Sequence, residues 1–312
     1  MFNRNGHWLR WLLSFLYRRN RRIKVMKIGC FALIDAFHTL DHQLSRIAEL
    51  GFDCADITDN HPGGLLGGDV FDAAVSLDCN PFDVKRQFDK YGLTISSIAA
   101  HAHLLDPTHP ARYGTSEIVK ALKLAGTLGI GFVITTEHAG ATQWARKLTY
   151  EQRIFTIAEK LYEPLRLAED LGVKLLFEPH GPVSDTIQGI HDVRAALGNS
   201  AAFGVCLDTG NSWLGGADPV AMAREFRDII GHVHWKDLPK EMEESRGKKT
   251  GCGFATIALG DGVIDIAGVY DVLRDAGIAH STLEICGDDN LVRSAAYLRY
   301  LEKQASAAST SV

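Results

Sequence analysis

Three short apolar runs in the middle of the chain each end in a side chain that can bind a metal. Leu175-Leu176-Phe177 ends in Glu178, Phe203-Gly204-Val205-Cys206-Leu207 in Asp208, and Ile229-Ile230-Gly231-His232-Val233 in His234. A fourth run, Ser281-Thr282-Leu283, ends in Glu284. Carboxylate oxygens and an imidazole nitrogen make a mixed O/N shell suited to one divalent cation, Mn²⁺, Mg²⁺, Co²⁺, Fe²⁺ or Zn²⁺, among which ligand type alone does not choose. Three carboxylates against a dication leave roughly one negative charge, which favours a neutral, oxygen-rich ligand. The natural work of such a centre is to chelate a carbonyl and a neighbouring hydroxyl, and to stabilise the enediolate formed when a flanking carboxylate moves the α-proton. The competing reading is four unrelated strand-end residues. What favours a site is that all four fit one geometry.

That geometry depends on the elements that carry them. β-type runs that finish in a chemically active residue suit parallel strands with a site at their C-terminal ends. Glu178 to Asp208 is 30 positions and Asp208 to His234 is 26. A (β/α)8 barrel of about 250 residues spends about 31 on each strand-helix unit, so these are single steps. His234 to Glu284 is 50 positions, the excess being a polar insertion from Lys236 to about Thr256. The alternation runs through the rest of the chain. Strands are expected near Lys27–Ala32, Asp53–Ile57, Leu93–Ala102 and Gly131–Thr136, and at the runs ending in Glu178, Asp208, His234 and Glu284. Helices are expected near Thr39–Leu50, Pro81–Tyr91, Ser116–Leu128, Tyr150–Leu171, Ser184–Leu197, Asp218–Asp228, Ile264–Ala276 and Asn290–Lys303. The expected class is α/β, a (β/α)8 TIM barrel over residues 26–304 with a frayed tail at 305–312.

The first 25 residues differ from the rest. They carry seven positive charges and no acid, so a chain of net charge −5 has −12 beyond them. The apolar stretch Trp11-Leu12-Leu13-Ser14-Phe15-Leu16 is too short to span a bilayer and lacks a signal-peptide cleavage pattern. A basic surface helix and an upstream extension of the reading frame are the two readings, the second favoured because Met26-Lys27-Ile28-Gly29 makes a natural barrel start. The acidic balance argues against a nucleic-acid partner, and a membrane partner is not expected. Six cysteines without a C-x-x-C pair suit reduced thiols and a cytoplasmic protein. A homo-oligomer is left open.

Glu178-Pro179-His180-Gly181, Leu207-Asp208-Thr209-Gly210-Asn211, His232-Val233-His234-Trp235-Lys236-Asp237 and Leu259-Gly260-Asp261-Gly262-Val263-Ile264-Asp265 resemble the xylose-isomerase-like barrels. More narrowly they resemble the sugar phosphate isomerase/epimerase family, which includes ketose 3-epimerases, hydroxypyruvate isomerases and inosose dehydratases. The resemblance covers roughly Lys27 to Lys303. It implies metal ligation by Glu178, Asp208, His234 and Glu284, with Glu178 and Glu284 also exchanging the substrate proton, one on each face. The expected activity is isomerisation or epimerisation of a sugar or keto-sugar. A lyase or dehydratase acting by β-elimination is the alternative, with His180 or Lys236 as the leaving-group acid. A non-catalytic sugar-binding barrel is the third reading. Endonuclease IV-type relatives use three zinc ions and a basic groove, which this acidic chain does not suit.

Other residues are weighed by position. His180, two past a metal ligand, points to the same side if the strand continues, giving it a catalytic or pocket role. His101 and His103 share one face near the end of strand 3, as pocket wall or as a strand-end polar pair. His138, just beyond strand 4, reaches the substrate or lies in solvent. His232 reads as a hydrogen-bonded residue beneath His234. Asn211, Trp213 and Lys236 join His101 and His138 as substrate-binding candidates. Loop Lys236–Thr256 is a mobile lid or a solvated loop. A phosphate would be expected after strands 7 and 8, but Asp261, Asp288 and Asp289 disfavour it there, so a non-phosphorylated sugar, keto-sugar or cyclitol is expected.

Overall fold

A computed structural model describes residues 26–35, 38–58, 75–106, 113–140, 142–253 and 255–310. The basic segment 1–25 and the loop carrying His61 lie outside the described residues. The strands are β1 (Lys27–Phe31), β2 (Cys54–Thr58), β3 (Thr94–Ala99), β4 (Phe132–Thr135), β5 (Lys174–Phe177), β6 (Phe203–Asp208), β7 (Ile230–Trp235) and β8 (His280–Leu283). They close in sequence order into a parallel barrel, with β8 pairing back to β1. The helices are α1 (Leu40–Glu49), α2 (Pro81–Tyr91), α3 (Tyr113–Leu128), α4 (Gln143–Arg146), α5 (Tyr150–Leu171), α6 (Ile187–Ala196), α7 (Thr209–Leu214), α8 (Pro219–Phe226), α9 (Ile266–Ala276) and α10 (Asp288–Thr310).

Local chemistry sets the helix ends. Thr39, Asn80 and Thr186 each accept a hydrogen bond from a first-turn N–H, and Thr149 and Gln152 close a reciprocal capping box. Inside α5, Ile157, Leu161, Leu165 and Ala168 recur at helical spacing and are buried on one face. Some boundaries differ from expectation. β3 stops at Ala99, because His101 and His103 leave the ladder. The helices α4 and α7 are too short to show a period in the sequence. The last helix continues to Thr310, so residues 305–310 are helical where fraying was expected. Among the described residues no helix is long and apolar enough to cross a membrane.

Side-chain alternation along the strands separates two environments. Phe177, Val205, Leu207, Val233, Trp235 and Leu283 are buried in the large apolar cluster shared with the helices. Each such side chain contributes about 1.5–3 kcal/mol by leaving water. Inward-facing Ile134, Leu176 and Cys206 pack with Phe132 into a small plug. Gly204 makes room for it: a Cβ there would lie 2.6 Å from Leu176 Cδ2. Beyond this plug the inward column turns polar, and pairing of Asp208 with His234 and of His234 with Thr282 sets those residues at one level. A one-residue slip would send the ionisable groups into the apolar layer, so register is strongly specified.

Candidate metal centre

Glu178, Asp208, His234 and Glu284 each offer a ligand atom, and these atoms all lie within 4.8 Å of one another. Each stands at the C-terminal end of its strand, from β5 to β8 in order. His234 Nδ1 is 2.9 Å from Glu178 Oε1 and 3.3 Å from Glu284 Oε1. Asp208 begins α7, where its Oδ1 accepts from Asn211 N–H at 2.7 Å. Lys236 Nζ lies 2.7 Å from Asp208 Oδ2 and also bonds Glu284 Oε2. All are buried except Glu284, whose side chain is 18% exposed and forms the open edge.

The charges are in tension. Burial works against the Glu178 carboxylate, but His234 and His101 outweigh it and hold it well below the usual range. Burial, with Glu178 and Glu284 nearby, pushes Asp208 up despite the Lys236 ammonium. Burial also opposes the charge on Lys236, yet Asp208 and Glu284 keep it firmly protonated. Three carboxylates crowded on one imidazole are the donor set a hard divalent cation would neutralise, so these residues fit a metal.

A second layer lies beneath, in which His232 was expected from the sequence and Asp56 was not. Asp56 on β2 is fully buried, and its Oδ2 bonds His234 Nε2 at 3.1 Å and His232 Nε2 at 3.0 Å. Ser96 Oγ donates to Asp56 Oδ1 at 2.5 Å, and His232 Nε2 is 3.0 Å from Thr282 Oγ1. Asp56 thereby fixes the ring of His234 with Nδ1 turned to the carboxylates, a carboxylate–histidine pair of the kind that orients metal ligands. One signal in the sequence could have found it: Asp56 is a lone acid at an inward position of Cys54-Ala55-Asp56-Ile57-Thr58.

The other candidates divide between support and pocket wall. Asn211 is fully buried; its Nδ2 donates to Asp208 Oδ2 at 2.9 Å, and its Oδ1 accepts from Cys252 N–H at 3.0 Å. Its amide is thus engaged with Asp208 and with the insertion. Trp213 is buried, with the Arg246 guanidinium 4.9 Å over its ring, so that face is covered. His101 Nε2 is 3.1 Å from Glu178 Oε2. His138 adopts a left-handed backbone at φ 55°, uncommon for a non-glycine residue, and packs between His103 and His180, at 4.8 and 4.6 Å between ring centroids. Burial drives His138 well below its ordinary range and His180 to about 4, so both are neutral imidazoles. His138 Nε2 and His180 Nδ1 are buried without a hydrogen-bond partner in the described structure.

The insertion after β7 is pinned rather than splayed into solvent. Asp237 and Ile257 form an antiparallel bridge at its base, Gly247 N–H donates to Leu214 O at 2.7 Å, and Gly251 sits against the His180 ring. The position after strands 7 and 8 is also occupied. Asp237 Oδ2 accepts from Gly260 N–H at 2.9 Å and Gly262 N–H at 3.1 Å, and Oδ1 from Ile264 N–H at 3.1 Å. Backbone donors that could cradle a phosphate there hold the protein's own carboxylate.

Comparison with known proteins agrees with this architecture. The family model described as xylose isomerase-like TIM barrel matches residues 44–304. An inosose dehydratase of Geobacillus kaustophilus is 24% identical over 254 residues, covering 75% of each chain. A D-tagatose 3-epimerase-like protein superposes with a TM-score of 0.69 at 18% identity, over 89% of this chain and 97% of that one. The IolI protein, solved with a bound zinc atom, superposes at 0.64 with 17% identity, over 90% of this chain and 96% of that one.

Proposed function

Because the chain belongs to the xylose isomerase-like TIM-barrel family, we propose that it is a divalent-metal-dependent enzyme acting on a sugar or cyclitol ketone, from which it removes the α-proton and expels water from the next carbon. The observation carrying this reading is the unequal setting of the two glutamates. Glu178 is held ionised by His101 and His234, whereas Glu284 is bonded by the Lys236 ammonium. Glu178 is the base that takes the proton on the α-carbon. Lys236 gives a proton to the leaving hydroxyl, which departs as water while the electron pair of the broken C–H bond forms the C=C bond; His180, expected as an alternative acid, is neutral and is left to bind a hydroxyl. Glu178, Asp208, His234 and Glu284 would hold one dication, with Mn²⁺ our first choice. When bound, that ion polarises the ketone and stabilises charge on its oxygen. Neutral His138 and His180 suit hydroxyl groups, and the nest filled by Asp237 supports a substrate without phosphate at that position. Similarity to inosose dehydratases supports elimination.

Epimerisation or isomerisation is the second reading. It is favoured by Glu178 Oε1 and Glu284 Oε1 both reaching His234 Nδ1, which places a carboxylate on each side of one point. Incubation of the metal-loaded protein with an inosose in D₂O tests both. Deuterium at the carbon next to the carbonyl together with an unsaturated product supports dehydration. Deuterium with a recovered epimer supports the second reading. Neither exchange nor product, across a panel of inososes and ketoses, leaves only a sugar-binding barrel.

A further inference from the structure

At the rim of the barrel, beside the histidine wall, a cleft of about 480 Å³ is lined by Arg146, Arg153, Lys248, Lys249, Ala139 and Thr250 among others, with no carboxylate among the described residues that line it. This volume is in the range of small-molecule sites, roughly 300–1,000 Å³. The cations come from two parts of the chain: the consecutive helices α4 and α5, and the insertion after β7. The charge is unusual for this chain, whose net charge is −5 and whose other surface cations are often paired. Lys85 pairs with Asp89 at 2.7 Å, Lys90 with Asp41 at 2.8 Å, Lys120 with Asp78 at 2.9 Å and Arg293 with Asp261 at 2.6 Å. Among the described residues, none of the four cleft cations has an ion pair. Arg146 Nε donates to Gly140 O at 3.1 Å, which fixes its guanidinium at the edge. Arg153 is half-buried, and its Nε is buried without a hydrogen-bond partner. A guanidinium partly removed from water and left uncompensated is costly unless an anion completes it.

Arg153 acts electrostatically on Glu137, whose Oε1 is already taken by Val183 N–H, Ser184 N–H and the Ser184 hydroxyl. Burial raises Glu137 to about 7, so near neutral pH it supplies little more than a partial counter-charge. The cleft also adjoins the reaction site through the chain. Ala139 follows His138, and Thr250 precedes Gly251, which rests on the His180 ring. We propose that this cleft is an oxyanion-binding subsite that takes a phosphate or carboxylate group at the barrel mouth, away from the carbon that reacts. Arg146 and Arg153 offer planar forks that match such groups, and Lys248 and Lys249 add mobile charge from the insertion. The anion is either a remote substituent of the substrate or a separate small molecule that lies beside it. The inference goes beyond the proposed reaction and does not depend on it.

Calorimetric titration of the metal-loaded full chain with inorganic phosphate tests the subsite. One saturable event is expected. Its affinity should fall by about tenfold or more in Lys248→Ala/Lys249→Ala and in Arg153→Gln, through loss of charge-assisted hydrogen bonds. Metal content and melting temperature should be unchanged. No saturable binding, or equal affinity in both variants, overturns the proposal. Repeating the titration with myo-inositol and myo-inositol monophosphate identifies the source. If the monophosphate binds far more tightly than phosphate alone, and loses that advantage in Asp208→Ala, the subsite holds a substituent of the substrate. If the two bind equally, it holds a separate anion. Both results keep the cleft as an oxyanion site, and neither bears on whether the α-proton exchanges.

Discussion

The two sides of this barrel mouth treat the same residue types in opposite ways. On the arc from β5 to β8, Glu178, His234, Lys236 and Glu284 stay charged because they are set against one another, with Asp208 pushed up to about 7 among them. On the side built from the ends of β3, β4 and the loop after β5, burial dominates. His138 and His180 are neutral, and Glu137 and Asp185 are raised to about 7 and about 8. Spacing decides which regime wins. Opposite charges within about 4–6 Å favour ionised forms, whereas imidazoles packed on imidazoles and acids beside acids gain only from being neutral. One side is thus equipped for a cation and for proton movement, and the other for hydroxyl groups.

The charged side should be the more fragile. Glu178→Gln keeps the shape of the side chain but removes its basicity. Loss of a general base typically lowers turnover about 10²–10⁴-fold. Asp208→Ala should go further and abolish metal retention, because a full ligand charge leaves the shell. Elemental analysis and single-turnover kinetics check the pair. Stoichiometric metal in Asp208→Ala, or full turnover in metal-saturated Glu178→Gln, would sink the four-residue centre.

The neutral side should respond differently. His180→Gln keeps a hydrogen-bonding group but removes an imidazole facing the insertion. Because the neutral imidazole binds a substrate hydroxyl and has no acidic proton to donate, KM should rise about tenfold while turnover at saturating substrate changes little. Exchange is read by NMR and product by absorbance. Elimination lost with α-proton exchange retained would mean that His180 is protonated and serves as the leaving-group acid, which would blur the division between the two sides.

A smaller effect is expected one layer down. Asp56→Asn leaves the packing of β2 nearly intact but weakens the acceptor for His234 Nε2. Substitutions of such supporting partners commonly cost about 10–100-fold in metal affinity. Competition with a chelator measures this directly, without substrate. Unchanged affinity would show that Asp208, Glu178 and Glu284 orient the metal alone.

The charged side was also the legible one. Glu178, Asp208 and His234 end apolar runs at intervals of 30 and 26 positions, so strand period and barrel spacing point to them together. Asp56 was less visible because its strand lies far away in sequence, and only closure of the ring brings β2 opposite β7. The neutral side carries no such period. His138 depends on a left-handed backbone, and Glu137 and Asp185 meet across two loops. The short helix α7 turns Asn211 towards Asp208 and Cys252 and so changes its expected place. Trp213, expected as a sugar platform, lies under Arg246 because the insertion folds back onto α7.

The mildest test concerns the acids kept neutral. Asp185 Oδ1 accepts from Gly181 N–H at 3.2 Å, while its Oδ2 is buried without a partner. Burial, with Glu137 adding to it, raises Asp185 to about 8, against about 3.9 for an unfolded aspartate. A raised carboxyl contributes stability that is fully present below the unfolded value and is lost as pH climbs towards the folded one. Between about pH 4 and pH 8 the folded chain holds a proton that the unfolded chain has released, so stability falls by up to about 1.4 kcal/mol per pH unit for each such group. Asp185→Asn keeps the shape and removes the titration. Its melting temperature should therefore gain on the wild type as pH rises from 5 to 8, with the gap largest near pH 8. Parallel melting curves across that range would mean that Asp185 is ionised in the fold, and that this side of the mouth is charged after all.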